Sequence, residues 1–250
     1  MSEQSAEKSS PIGRTPPDAW LKLLSDPNRW SAPTPRPTRL ETERLVVRMY
    51  EPGDARQLFE AVDGDRENLL PWMVWAQSDH MNETDSAYFI EMTRRKWEQA
   101  DGTDFVMGIF DKATGRLVGG TGLHRIRPGV REAEIGYWVL SSVRGTGICT
   151  ESTGGLISAA LRLQDEGGWG FRRIVVFNAV QNIGSRRVCE KLGLRLEQRT
   201  KQDRFAGSLG DHEALGYHDS LGYAVLADEW DFDRDRAKEG IGWRGLSPEE

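Results

Sequence analysis

The stretch Glu134-Ile135-Gly136-Tyr137-Trp138-Val139-Leu140-Ser141-Ser142-Val143-Arg144-Gly145-Thr146-Gly147-Ile148-Cys149 decides the reading of this chain. Its first part belongs to a run from Glu132 to Leu140 that predicts a strand. Behind it, residues from about Cys149 to Gln164 predict a helix. Two glycines stand between. The first amides of a helix lack intrahelical partners and carry partial positive charge. Glycines let those N–H groups approach a pyrophosphate closely, so the turn suits a nucleotide-like anion. It is no Walker loop, because Gly-Lys-Ser/Thr occurs nowhere in the chain. Nor is it a dinucleotide fingerprint: Thr150 stands where GxGxxG needs its last glycine, and no βαβ unit leads into it. Taken alone, the turn serves equally well as a tight structural corner.

Upstream, Phe105 to Phe110 and Leu117 to His124 read as two strands around the turn Asp111 to Arg116, a hairpin pattern. Earlier still, Leu45, Val47 and Met49 alternate with Arg44, Val46 and Arg48 as in a strand. Pro52-Gly53-Asp54 turns the chain, and Asp54 is placed to cap a helix from Ala55 to Val62. A second helical region covers Leu69 to Trp75, and an amphipathic helix runs from Thr84 to Gln99. Downstream, Phe171 to Asn178 predicts a strand and Ile183 to Lys191 a helix stopped by Gly193. Two strands, near Leu194 to Lys201 and Leu221 to Ala227, complete the order. The sum is a mixed α/β layer with helices on both faces.

Seven of the eleven prolines lie in the first 38 residues, with Pro33, Pro35 and Pro37 alternating at the end. Residues 1–38 therefore read as a Pro-rich arm holding one short helix at 18–25, residues 39–230 as the domain, and residues 231–250 as a charged tail. No apolar run reaches the ~18–20 residues that cross a membrane, and the N-terminus has no signal-peptide core. Cys149 and Cys189 form no CxxC pair and read as free thiols in a reducing, cytoplasmic setting. The net charge of −6 argues against nucleic acid as partner and favours cationic ones such as amines. His80, His124, His212 and His218 show no metal-ligand spacing.

Context narrows the glycine turn. Arg144-x-x-Gly147-x-Cys149 resembles the acyl-CoA signature (Gln/Arg)-x-x-Gly-x-(Gly/Ala) of the GNAT superfamily, with Cys149 where Gly or Ala is usual. Asn182-x-x-Ser185-x-x-x-Cys189-Glu190-Lys191-Leu192-Gly193 is similar to its second signature, and Glu134 to Trp138 to its fourth strand. Thr42 to Arg48 and Leu70 to Trp75 resemble the opening strand and acceptor-side helix of the RimJ/RimL branch.

The resemblance implies the GNAT acyl-CoA N-acyltransferase fold, in which two central strands splay apart around the pantetheine arm. Here these would be Glu134 to Leu140 and Phe171 to Asn178. It implies acetyl-CoA as donor, a primary amine as acceptor and no metal. Backbone groups of Tyr137, Trp138, Val139 and Leu140 would bind the arm, and the turn of Arg144, Gly145, Thr146, Gly147, Ile148 and Cys149 the pyrophosphate. Asn178, Asn182 and Ser185 would complete the cofactor site. Two carboxylates are candidate bases: Glu213, favoured by the RimL-like segment around it, and Glu134 on the splayed strand. Most family members carry a tyrosine acid where Cys189 stands; Ser185, one turn earlier, is the candidate instead. Trp72, Trp75 and Trp97 are candidates to line the acceptor cleft, or else core residues. The acceptor would be a protein N-terminus, as in RimJ/RimL enzymes, or a small amine, and a homodimer is compatible with the pattern. A non-catalytic acyl-CoA-binding scaffold is the rival from another class.

Overall fold

The computed structural model describes residues 29–99, 102, 104–206 and 216–232. The short helix expected at 18–25, the tail beyond 232 and Glu213 lie outside them. The chain begins with β1 (Arg39–Glu41) and β2 (Leu45–Met49), followed by α1 (Ala55–Gly64), α2 (Arg66–Leu69) and α3 (Glu83–Glu98). The meander β3 (Phe105–Asp111), β4 (Leu117–Arg127) and β5 (Glu132–Val139) leads to α4 (Ile148–Leu161). Strand β6 (Arg173–Ala179), helix α5 (Ile183–Lys191) and the long hairpin β7 (Arg195–Ala206) and β8 (Gly216–Leu226) follow. The eight strands form one sheet in the order β1-β2-β3-β4-β5-β6-β8-β7. Among the described strands, only β5 and β6 are parallel neighbours.

Period-two alternation sorts the side chains between two cores. In β2, Leu45 and Val47 face one core with Leu156 and Ile157 of α4 and Val188 and Cys189 of α5. Val46 faces the other, with Leu58 and Val62 of α1 and Ile90 of α3. Trp30, upstream of position 39, shares the first core: its indole N–H donates to the Trp169 carbonyl at 2.7 Å and its ring stacks on Phe171. Among the described residues no helix is long and apolar enough to cross a membrane.

The structure departs from the sequence reading in several places. The opening strand is two strands, because β1 has only three residues, too few to show a period. Asp54 does not cap α1 through its side chain. Its carboxylate instead accepts from Arg48 at 2.7 and 2.9 Å and from the Glu51 amide at 2.7 Å. The region from Leu69 to Trp75 is not one helix: α2 ends before Pro71, and a 3-10 turn forms at Val74–Gln77. Proline lacks the N–H and disfavours helix in the residue before it. Trp97 is 4% exposed and packs on Phe105 and Trp169 in the core, so it does not line the acceptor cleft.

Paired carboxylates tie the sheet margins. Hydrogen bonds from Lys112 and Arg39 hold Glu41 at about 2, and those from Arg173 and Arg195 hold Glu197 at about 2. A carboxyl depressed on folding contributes stability above its unfolded value near 4, lost as pH falls through the folded value. The melting temperature should therefore drop between about pH 4 and pH 2. Glu197→Gln should make that drop shallower in circular dichroism melts.

Candidate active site

Strands β5 and β6 pair only at Glu132–Arg173, Ala133–Ile174 and Glu134–Val175, then part, although each runs on for several residues. On their outer sides they stay paired with β4 and β8. The backbone facing the gap therefore has no strand partner, and buried backbone groups require one. A cleft of about 850 Å³ opens from this gap. Its floor includes Tyr137, Trp138 and Val139 of β5 and Asn178 of β6, and its mouth the turn at Arg144, Gly145, Gly147 and Cys149. Asn182 and Ser185 line it from the start of α5, and Trp72, Trp75 and Glu134 line it too.

The turn is built to present amides. Gly147, at φ +89°, is the residue before α4 and has no side chain to bond the first-turn N–H groups. Among the described residues, the amides of Gly145, Gly147, Ile148 and Cys149 meet no acceptor. Glu151 in the first turn does not oppose an anion, since Arg44 binds it at 2.7 Å and Thr42 donates to it at 2.6 Å. Cationic Arg144, Arg187, Lys191 and Arg204 also line the cleft, against Asp79 and Glu134.

Parts of the expected site are occupied by the protein itself. The Leu140 backbone is engaged within the protein: its N–H donates to Val118 at 2.9 Å and its carbonyl accepts from Val143 at 3.1 Å. The Arg144 amide donates to the Ser141 carbonyl at 3.2 Å, and the Arg144 guanidinium donates to the Asn68 carbonyl at 3.0 Å. The Thr146 hydroxyl donates to Val143 at 2.7 Å, and Ile148 is buried in the core. The side chains of Thr146 and Ile148 thus support the turn, and Leu140 starts it. Asn182 caps α5 by accepting from the Ser185 amide at 3.0 Å.

Tyr137 supplies what α5 lacks. Its phenol oxygen lies 3.0 Å from Ser185 Oγ and 3.6 Å from Cys189 Sγ. The strand thus delivers a phenol to the place where the helix carries no tyrosine. Burial, then the neighbouring Cys189 and Cys149, raise the Tyr137 hydroxyl well above its ordinary range, so it stays a neutral donor. Burial likewise pushes Cys149 up to about 12 and Cys189 to about 11, which keeps both as thiols. Asn178, 3% exposed, turns its Nδ2 toward Cys189 Sγ at 3.8 Å and leaves Oδ1 without a partner. An orphaned buried acceptor in a cleft awaits a donor from a ligand. The parted backbone, the uncapped helix start and this oxygen fit the amide-bearing arm and pyrophosphate of a coenzyme A.

The acetyltransferase (GNAT) domain family matches residues 44–195, more than half of the chain, and the chain belongs to that family. It is thus an acetyltransferase of the GNAT type, with relatives in the RimJ/RimL-like branch. YdaF of Bacillus subtilis (strain 168), named as a ribosomal N-acetyltransferase, is 28% identical over 189 residues, which cover 76% of this chain and 94% of YdaF. RimL, a ribosomal L7/L12 alpha-N-protein acetyltransferase solved with coenzyme A, is 22% identical at a TM-score of 0.66, covering 76% of this chain and 99% of RimL. Mycobacterium smegmatis RimJ, solved with a CoA disulfide, is 22% identical at 0.67, covering 82% and 96%. These two structures show the same fold.

Proposed function

We propose that the chain moves an acetyl group from acetyl-CoA to a primary amine by direct attack within a ternary complex, with a protein N-terminal amine as acceptor. The observation that carries this reading is the parting of β5 and β6 with the uncapped start of α4 at its mouth. Acetyl-CoA supplies the thioester. The chain supplies the rest: the free β5 edge and Asn178 Oδ1 hold the arm, and the amides of Gly145, Gly147, Ile148 and Cys149 hold the pyrophosphate. Fixing two reactants in one cleft removes much of the entropic barrier to attack. Ser185 donates a proton to the departing sulfur, with the Tyr137 phenol holding its hydroxyl. Glu134 faces the acceptor half and is paired with Arg125 at 3.1 Å. Trp72 and Trp75 form the acceptor wall. The protein acceptor is supported by the names of YdaF and RimL.

Thermal unfolding tests the donor. Acetyl-CoA at ~100 times its dissociation constant should add about 2.7 kcal/mol of stability, with ATP and NAD giving none. No shift would reduce the glycine turn to a structural corner. A panel of peptides with free N-termini, run against small amines, tests the acceptor; acetylation of the amines alone would replace the protein acceptor by a small one.

A further inference from the structure

Asp104 and His124 form a pair that the reading above leaves unused. Asp104 lies just before β3 and His124 is the eighth residue of β4, and the hairpin sets His124 Nδ1 against Asp104 Oδ1. Lys96, in the last turn of α3, donates to Asp104 Oδ2 at 3.0 Å. Burial pushes the Asp104 carboxyl up, but the hydrogen bonds and charges of His124 and Lys96 outweigh it and hold it at about 2. An ionised carboxylate only accepts, so Nδ1 is the donor, and in the neutral ring Nε2 carries the lone pair.

The ring lies against two glycines. A Cβ at Gly122 would stand 2.8 Å from Nε2, and one at Gly136 3.4 Å from it. Gly136 is two residues past the last β5–β6 pair, so Nε2 sits where the strands part. His124 is directly opposite Glu134 in the β4–β5 register. Both line the cleft, as do Trp75, Phe89 and Trp138.

We propose that Asp104 and His124 act as a dyad in which His124 Nε2 takes the proton from the acceptor ammonium while Asp104, held by Lys96, fixes the ring's tautomer. The proposal rests on the acetyltransferase reading above. One ammonium proton passes to Nε2 and frees the nitrogen lone pair, which attacks the thioester carbon. The C–N bond forms, the C–S bond breaks, and its electron pair leaves on sulfur. Nitrogen gives its second proton to water, sulfur takes one from Ser185, Ser185 is reprotonated from water, and the imidazolium returns its proton to water. The sum is amide, thiol and one released proton. An imidazole serves as a base near neutral pH, where an ordinary carboxylate is a weak one.

Two readouts test the dyad. The first needs no turnover: the ¹⁵N imidazole spectrum of the full chain should show neutral His124 as the Nδ1–H tautomer, lost in Asp104→Asn. A neutral ring protonated at Nε2 would overturn the proposal. The second is the pH profile of kcat/KM with acetyl-CoA and the best peptide of the panel. His124→Gln should lower it roughly 10²–10³-fold at pH 7, with KM for acetyl-CoA unchanged and the loss shrinking at high pH, where free amine is abundant. The charged groups facing the ring are Asp104 and Lys96 on one side and Glu134, with its partner Arg125, on the other. Glu134→Gln is therefore run alongside, and a loss in that variant with none in His124→Gln would assign the proton to the carboxylate and overturn the dyad. A His124→Gln enzyme with the wild-type rate and profile would sink the dyad and leave acetyl transfer standing. Wild-type protein that binds acetyl-CoA yet acetylates no amine would sink both. Should His124→Gln not fold, the tautomer in wild type and Asp104→Asn decides.

Discussion

Gly147→Asp is expected to lower the affinity for acetyl-CoA at least about 100-fold, close to 2.7 kcal/mol, while the chain stays folded. Two effects combine. At φ +89° the backbone of Gly147 is left-handed, which costs an L-residue roughly 1–2 kcal/mol. The larger effect on binding is electrostatic. The new carboxylate stands at the positive end of α4, in the field that the pyrophosphate would use, and repels it. Arg44 Nη2, which would stand 3.4 Å from the new Cβ, offsets only part of this, since the Nε and Nη1 of the same guanidinium are already bound to Glu151 and to the Thr146 carbonyl. Gly147→Ala separates the two effects, since it carries the same backbone strain and no charge. Titration calorimetry should find Ala weakened far less than Asp, with circular dichroism melts as the fold control. Equal affinity in the Asp variant and wild type would move the pyrophosphate away from this turn.

That variant could be designed from sequence, and the reason is local. A strand, two glycines and a helix start within sixteen residues, Glu134 to Cys149, so their relation is set by the chain itself. The alternation of Leu45, Val46 and Val47 sorts between the two cores for the same reason. The stop of α5 at Gly193, with φ +75°, is equally local. What the sequence did not disclose depends on neighbours brought together by the fold. The Tyr137 phenol meets Ser185 across 48 residues, and His124 meets Asp104 across 20. No spacing rule links such pairs; only the packing of β5 under α5, and the β3–β4 hairpin, makes them. Leu140 shows a change of role that no local pattern marks. It continues an apolar strand pattern, yet its backbone closes onto Val118 and Val143 to begin the turn. Trp97 was equally ambiguous, because helical spacing places an aromatic ring on a face without saying which cavity that face meets.

Trp169→Ala is expected to remove roughly 3–5 kcal/mol of stability, the usual effect of truncating a buried aromatic residue to alanine. Trp169 is 1% exposed and lies between α4 and β6. Its ring meets Phe105 at 4.7 Å, Trp97 at 5.8 Å and Phe171 at 6.5 Å between centroids. Its backbone N–H donates to the Ala159 carbonyl at 3.0 Å, and its carbonyl accepts from Trp30. The ring therefore joins α3, β3 and the segment leading into β6 in one aromatic cluster, and a methyl group cannot fill that volume. Against a typical total of ~5–15 kcal/mol, the loss is a large fraction, and the melting temperature should fall by roughly 6–20 °C. None of these contacts faces the cleft, and Trp169 is absent from its lining. Saturating acetyl-CoA should therefore still raise the variant's stability by the same increment as wild type, because ligand linkage depends on the site alone. A smaller increment in the variant would mean that the aromatic cluster also sets where β5 and β6 part. An unchanged melting temperature would mean that the cluster does not hold β6 against the rest of the sheet.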